Sequence, residues 1–406
     1  MIIPSIDLMN GKAVQLRHGA EKVLEREDVL TIAETFSRIG ELAVIDLDAA
    51  LGHGDNRELI KTLCRRFPCR VGGGIRSAEE ARAFLRAGAR RVILGTAARP
   101  EVLSALRPET VIVAVDEKND EVVDCGWTHG TGESVIGRIK ELEAYCSGFL
   151  YTLVDREGMM QGTSLDRIRA VRAATSNSVT AAGGITAVEE VVALAGLGCE
   201  AQLGMAIYTG ALELAELFVA ITDFGRSSGL CPTVVENEDG ETLMLAYSSP
   251  ESLRLALRDG SGVYYSRSRK TLWRKGESSG NTQHLLRARL DCDRDAIRFT
   301  VRQAGPACHT GAPTCFGAMR PALSRLETIL TDRKDHPVDS FASRLMQDEQ
   351  LIMRKLHEEV WEVSHAGSVG ETTHEAADLL FFATALLVKR GLSWTDVLYE
   401  LRGREK

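Results

Sequence analysis

Between residues 290 and 316 the chain reads LDCDRDAIRFTVRQAGPACHTGAPTCF, which holds three aspartates, three cysteines and a histidine. Thiolates are soft ligands that suit Zn2+, and carboxylates are hard ligands that suit Mg2+. If DCDRDA is extended, its side chains alternate faces. Asp291, Asp293 and Asp295 then share one face and Cys292 points to the other. Cys292, Cys308 and Cys315 follow the pattern C-x15-C-x6-C. Three thiols leave a fourth tetrahedral position for water, which is the catalytic arrangement rather than the structural one. His309, next to a candidate ligand, is placed to carry a proton. The alternative is three buried cysteines with no ligand.

Two other regions carry acids in useful spacing. In LHEEVWEV, Glu358 and Glu362 are four apart and Glu359 and Glu362 three apart, so they lie near one helix face. HEAADLLFF sets Glu375 and Asp378 three apart at the start of an apolar helix. Mg2+ on a phosphorylated substrate would offset such uncompensated charge, while a solvated acidic face is the plainer alternative. Near the N-terminus, Asp7 and Asp116 each end a strand-like run, IIPSIDL and VIVAVDE. A carboxylate pair facing across a site can serve as general acid and general base, and helix capping is the other role open to it.

The elements that must position these groups fall into three regions. Residues 1–225 alternate β-branched runs with amphipathic helices in eight β/α units, which predicts a (β/α)8 TIM barrel. The two halves repeat: VGGGI then RVILGTA resembles AAGGI then AQLGMA. Gly73, Gly74, Gly95 and Thr96, and then Gly183, Gly184, Gly204 and Ala206, would let backbone N–H groups approach a phosphate on each side of the mouth. Residues 226–320 read as a mostly β (α+β) metal domain around the helix SPESLRLALRDG, and residues 321–406 as an all-α domain. There the helix RLMQDEQLIMRKLHEEVWEVSHA is expected to run unbroken after a cap at Asp339 or Ser340.

The 406 residues carry a net charge of −8 and are 44% hydrophobic and 26% charged, which is a soluble balance. An acidic chain gains nothing from counterion release, so nucleic acid is not an expected partner. No apolar run suits a membrane span, and MIIPSIDLMNGK does not read as a signal peptide, so a cytoplasmic location is expected. In a reducing compartment the nine cysteines would stay unpaired.

Three resemblances cover nearly the whole chain. IIPSIDLMNGKAVQLRHG, VIDLDAALG, VGGGIRS, VAVDEKNDEVVDCGW and AAGGI resemble the histidine-pathway isomerase of phosphoribosylformimino-aminoimidazole carboxamide ribotide. That resemblance implies a cofactor-free Amadori rearrangement of a substrate with a phosphate at each end, with Asp7 and Asp116 catalytic and Thr152 beside them. The family often has aspartate before glycine in the loop after the sixth strand, where this chain has Glu157. LMLAYSSPESL, GVYYSRSRKTLWRKGESSGNTQ, LDCDRDAIRFTVRQ and GPACHTGAPTCF resemble phosphoribosyl-AMP cyclohydrolase. It implies a zinc-activated water on Cys292, Cys308 and Cys315, magnesium on Asp291, Asp293 and Asp295, and a homodimer that shares the zinc site. Arg267, Arg269 and Lys275 are its candidate phosphate contacts, or else parts of a solvated hairpin. SRLMQDEQLIMRKLHEEVWEV with HEAADLLFFATALLVKRGLSWTDVLYEL resembles phosphoribosyl-ATP pyrophosphatase. It implies magnesium on Glu358, Glu359, Glu362, Glu375 and Asp378. Together the three imply successive steps on phosphoribosyl nucleotides. A bifunctional hydrolase with an inert or regulatory phosphosugar-binding barrel is the alternative, and a barrel that also takes a tryptophan-pathway substrate would look similar.

Overall fold

The computed structural model describes residues 1–17, 21–317 and 322–404. Its contacts divide the chain into two units, Met1–Ala318 with Gly403–Lys406, and Met319–Arg402. In the first unit the strands are β1 (Ile2–Met9), β2 (Lys12–Arg17), β3 (Glu21–Arg26), β4 (Leu42–Asp46), β5 (Cys69–Gly72), β6 (Arg91–Leu94), β7 (Val111–Lys118), β8 (Glu121–Asp124), β9 (His129–Gly130), β10 (Gly148–Leu153), β11 (Ser178–Ala182) and β12 (Glu200–Leu203). β1, β4, β5, β6, β7, β10, β11 and β12 pair in parallel in that order and close on β1, so the expected eight-stranded barrel is present. β2, β3, β8 and β9 are antiparallel excursions from the first and fifth barrel strands.

The strands form because their residues serve two buried faces. Ile2, Ile6 and Leu8 pack outward against the helices, while Ser5 and Asp7 alternate to the inside. Inside, Ile93, Ile112, Leu150 and Ala182, with Ile45 and Ala114, form an apolar plug. Below it Arg70 is almost wholly buried, held by Glu41 at 2.7 Å, Glu200 at 2.9 Å and Thr180 at 3.0 Å. Burying that guanidinium is tolerable only because two carboxylates and a hydroxyl surround it.

The remaining strands are β13 (Cys231–Glu236), β14 (Thr242–Ser248), β15 (Val263–Ser266), β16 (Thr271–Arg274), β17 (Gln283–Leu290) and β18 (Ile297–Gln303). They form a four-stranded sheet in the order β14-β13-β18-β17 and a separate β15–β16 hairpin. The helix Pro250–Asp259 begins at a Ser249 cap that accepts from Ser252 N–H and ends at Gly260 in the left-handed region. This domain is joined to the barrel by ion pairs, including Arg254 with Glu216 at 2.6 Å and Arg258 with Glu216 at 3.0 Å. Main-chain bonds add to the joint: Ala288 N–H donates to the Arg38 carbonyl at 2.6 Å. One hydrophobic core runs through both parts, from Ile2 to Ala307.

The second unit is helical, with helices Leu323–Asp335, Phe341–Gln347, Glu349–His365, Val369–Lys389 and Trp394–Arg404. Ser340 caps the second of these, as one of the two expected candidates. The long helix expected across residues 344–366 is broken at Asp348. Its extended backbone ends one helix, and its carboxylate accepts from Leu351 N–H at 3.0 Å to start the next. Among the described residues, no helix is long and apolar enough to cross a membrane.

The turn after β5 admits only glycine. Gly73 has φ +88°, and a Cβ there would stand 2.2 Å from the Asp46 carbonyl oxygen. Gly132, at φ +71°, has open space around it. Gly73→Ala is therefore expected to cost the barrel more than about 3 kcal/mol, against about 1 kcal/mol for Gly132→Ala. Chemical denaturation of the two variants checks the difference, and equal losses would mean that close approach is not the constraint.

Candidate active sites

The barrel opens at the C-terminal ends of its strands into a cavity of about 900 Å3. Asp7, Asp116, Thr152 and Glu157 line it, as do all eight residues expected to hold phosphate: Gly73, Gly74, Gly95, Thr96, Gly183, Gly184, Gly204 and Ala206. The paired glycines repeat the same conformation in the two halves, with φ of +88° and +69° at Gly73 and Gly74 and +95° and +78° at Gly183 and Gly184. The first glycine of each pair presses against the preceding strand end, Asp46 in one half and Leu153 in the other.

Asp7 Oδ1 accepts from Ser5 Oγ at 2.7 Å. Asp116 Oδ2 accepts from Trp127 Nε1 at 2.9 Å, and Thr152 also bonds to Asp116. Burial lifts the Asp7 carboxyl to about 6, against the pull of the Ser5 bond. Burial also raises Asp116. Glu157 is pushed to about 7 by burial and then by the charges of Asp7 and Asp116. Burial thus raises all three carboxyls, Asp7 to about 6 and Glu157 to about 7, which suits proton transfer near neutral pH.

Ser5 and Trp127 are contributors that the sequence reading passed over. Ser5 was detectable, since it lies two residues before Asp7 and therefore on the same strand face. Trp127 sits between β8 and β9, and nothing in its spacing from Asp116 announces the contact.

In the second domain DCDRDA is not a strand. β17 ends at Leu290, and Asp291 N–H closes a tight loop by donating to the Ala296 carbonyl at 3.1 Å, with Arg294 at φ +68°. The face-alternation argument therefore fails here, because a loop that returns at once to β18 cannot stay pleated. The loop itself gathers Asp291, Asp293 and Asp295, whose carboxylate oxygens lie within 4.8 Å of one another. Arg226, just before β13, already occupies this cluster. It pairs with Asp293 and reaches Asp295 at 3.0 Å, and it holds the Asp293 carboxyl below its usual range. Magnesium would fit these three acids only with that guanidinium displaced.

Cys308 and Cys315 are brought together, whereas Cys292 is not within ligand distance of both among the described residues. The Cys308 thiol is lowered, first by the Thr310 hydroxyl, which donates to its sulfur at 3.1 Å. Burial raises Cys315. Two adjacent soft donors fit zinc and leave its remaining positions to groups from elsewhere. His309 is exposed, with Nδ1 at 3.8 Å from Cys308 Sγ. Arg267 and Arg269 lie exposed on the β15–β16 turn, Arg267 over the Tyr247 ring at 3.8 Å. Lys275 is not with them. It is 8% exposed, its ammonium disfavoured by burial and supported by the Cys315 and Cys308 thiols.

In the helical unit Glu359, Glu375 and Asp378 converge within 4.8 Å. Glu359 Oε2 is buried with no hydrogen-bond partner among the described residues, so these acids fit a divalent cation. Burial raises Glu359, and the charges of Glu362 and Asp378 add to it. Glu362 also bonds to Glu375. Glu358 turns away to Lys355 at 2.7 Å.

A (β/α)8 enzyme with acids at its C-terminal mouth, carrying three further acid or thiol clusters, is the class that fold and sites define. The family model described as Histidine biosynthesis protein matches residues 1–213, Phosphoribosyl-AMP cyclohydrolase residues 244–317, and Phosphoribosyl-ATP pyrophosphohydrolase residues 323–405. The chain belongs to the histidine biosynthesis protein family and fuses an isomerase-type barrel to cyclohydrolase and pyrophosphohydrolase domains. A histidine biosynthesis trifunctional protein of Neurospora crassa is 42% identical over 189 residues, covering 46% of this chain and 22% of that protein. The chain thus spans about a fifth of the length of such trifunctional relatives. It covers all of a histidine biosynthesis bifunctional protein of Pyrococcus furiosus, at 36% identity over 210 residues and 48% of this chain. It also covers 96% of a phosphoribosyl imidazole-4-carboxamide isomerase of Methanocaldococcus jannaschii, at 37% identity over 227 residues and 53% of this chain.

A carboxyl whose affinity for protons rises on folding stabilises the fold fully below pH 4 and loses that contribution as the pH climbs through about 6. At pH 7 Asp7 is therefore a burden on the fold. Asp7→Asn is expected to raise the stability of the barrel at pH 7 by up to about 3 kcal/mol, and by much less at pH 4. Denaturant titrations at the two pH values check this, and a variant less stable at pH 7 would contradict it.

Proposed function

We propose that this chain performs three consecutive steps of histidine biosynthesis, with domains at residues 1–225, 226–320 and 321–406. The helical domain releases pyrophosphate from phosphoribosyl-ATP, the middle domain opens the adenine ring of phosphoribosyl-AMP, and the barrel isomerises the resulting aminoaldose ribotide to the aminoketose. The observation that carries the barrel's part is the meeting of Asp7 and Asp116 in one cavity between two matching glycine turns. A substrate with a phosphate at each end would be gripped at both turns, leaving its central carbons between the two carboxyls. One carboxyl, kept neutral by burial, donates a proton to the sugar oxygen as the ring opens. The other, ionised, removes the proton from the adjacent carbon. Thr152 and Trp127 orient Asp116, and Ser5 orients Asp7. Glu157, coupled to both, takes the place of the aspartate often found in that loop.

Cys308 and Cys315 would hold zinc in the middle domain, with Cys292 completing the set across a homodimer. When bound, zinc supplies a water acidic enough to attack near neutral pH. His309, beside Cys308, is placed to accept a proton from that position. Arg267 and Arg269, both exposed, are the candidates to meet the substrate phosphate. Asp291, Asp293 and Asp295 remain candidates for magnesium, in competition with Arg226. Glu359, Glu375 and Asp378, with Glu362 beside them, would hold magnesium against the triphosphate, and Glu358 would remain outside that set.

Two experiments test this reading. Supplied with the aminoaldose ribotide, the wild-type chain should form the ketose, and Asp7→Asn should lose at least about 1,000-fold in kcat. A wild-type chain that hydrolyses phosphoribosyl-AMP yet makes no ketose would leave a bifunctional hydrolase with an inert barrel. Chelation by EDTA should abolish both hydrolyses while isomerisation continues, because the barrel's chemistry needs only side chains. Loss of all three activities on chelation would mean that the metals support the fold rather than the two hydrolytic sites.

A further inference from the structure

Cys125, Gly126 and Trp127 are three successive residues in the left-handed region, with φ of +50°, +68° and +66°. Glycine adopts that conformation freely, but in Cys125 and Trp127 the Cβ crowds the following carbonyl oxygen. Such backbone persists only where its surroundings impose it. This turn carries the indole whose Nε1 donates to Asp116 Oδ2 at 2.9 Å. The strain therefore lies at a residue that holds one of the barrel's acids.

The turn is closed from several sides. Thr128 N–H donates to the Asp124 carbonyl at 3.2 Å, and Thr128 Oγ1 donates to the Cys125 carbonyl at 2.7 Å. Cys125 N–H donates to Thr96 Oγ1 at 3.0 Å, which ties the turn to the rim after β6. Across its base β8 and β9 pair Asp124 with His129, and His129 Nδ1 stands 2.8 Å from Asp124 Oδ1. An ionised carboxylate can only accept, so the imidazole donates. Trp127 is one of the four residues that this pair encloses, and Asp124, Trp127 and His129 all line the barrel cavity. The clasp does little for the fold as a whole. The His129 side chain is 66% exposed, and a polar pair open to water contributes little to stability. What depends on it is the turn that it shuts. Sequence reasoning gave His129 no role, since nothing in DCGWTHG shows that its ends meet.

We infer that His129 is a positioning residue of the barrel: by bonding to Asp124 it closes the left-handed turn and so keeps the Trp127 indole on Asp116. This rests on the isomerase reading above and extends it from the groups that touch Asp116 to the one that fixes their approach. Asp116 is oriented by Thr152 and Trp127, and it loses the second of these when the turn relaxes.

The chain has four tryptophans, so indole 15N labelling gives four N–H resonances, and Trp127→Phe identifies the one from Trp127. In His129→Ala that resonance is expected to move upfield as its hydrogen bond is lost. With the aminoaldose ribotide as substrate, kcat of His129→Ala should fall about fivefold with KM within about twofold of wild type. His129→Asn keeps a donor near the place of Nδ1 and should recover the resonance and most of kcat. In a Trp127→Phe background, His129→Ala should change kcat by less than about twofold, because the group it acts through is gone. An unmoved Trp127 resonance overturns the inference, as does an equal loss of kcat in both backgrounds. A raised KM with unchanged kcat also overturns it, since His129 would then meet the substrate itself. Hydrolysis of phosphoribosyl-AMP in the same preparation reports that the chain is folded. If His129→Ala does not fold, Asp124→Ala removes the same bond from its other end and takes its place. A wild-type chain that makes no ketose would sink the isomerase reading and this inference with it. Normal wild-type turnover with an unmoved resonance in the variant would sink the inference alone.

Discussion

Three carboxyl groups, Asp7, Asp116 and Glu157, line the barrel mouth, where burial raises the affinity of each for protons and the charges of the first two raise Glu157 further. Their hydrogen-bond partners are Ser5, Thr152 and Trp127, all neutral. Desolvation of these acids is the constraint on which the barrel depends. Left in water, each would be fully ionised at neutral pH and useless as a proton donor. Buried in the barrel, each keeps its proton to a higher pH than it would in water. The closed sheet makes this bearable, since eight strands and the Arg70 cluster beneath them form a support that does not rely on the acids.

The other two clusters handle charge differently. In the helical unit Glu359 Oε2 is buried without a partner, and the surrounding acids make that position more negative still. Such a group waits for a cation from solution. In the middle domain a protein cation is already present, because Arg226 lies on Asp293 and Asp295. The same chain therefore shows acids raised by burial, acids left open for a metal, and acids satisfied by an arginine. Residue type alone does not distinguish the three cases.

The segment that carries Arg226 also tethers the barrel to the next domain. Asp223 N–H donates to the Arg294 carbonyl at 2.8 Å, so the acid loop is tied to the barrel's end by main chain as well as by charge. With Arg254 and Arg258 paired to the barrel's last helix, the joint is a packed interface rather than a free linker.

Much was legible from residue order alone. Strand runs such as VIVAVDE and AAGGI announced a parallel barrel, because both faces of such strands are buried and their glycines mark turns at the mouth. The same order named Asp7, Asp116 and the two glycine pairs, since strand ends in this architecture converge on one rim. What residue order could not supply was distance across the fold. It spread DCDRDA along a strand, where chain closure between β17 and β18 forces a loop. It grouped Glu358 with Glu359, although one helical step of about 100° turns Glu358 toward Lys355. It grouped Lys275 with Arg267 and Arg269, where the hairpin separates them and buries the lysine beside two thiols. Periodicity and turn chemistry are local and can be read along the chain. Which charge meets which, and which polar atom is left without a partner, is decided only when distant segments pack and water is excluded between them.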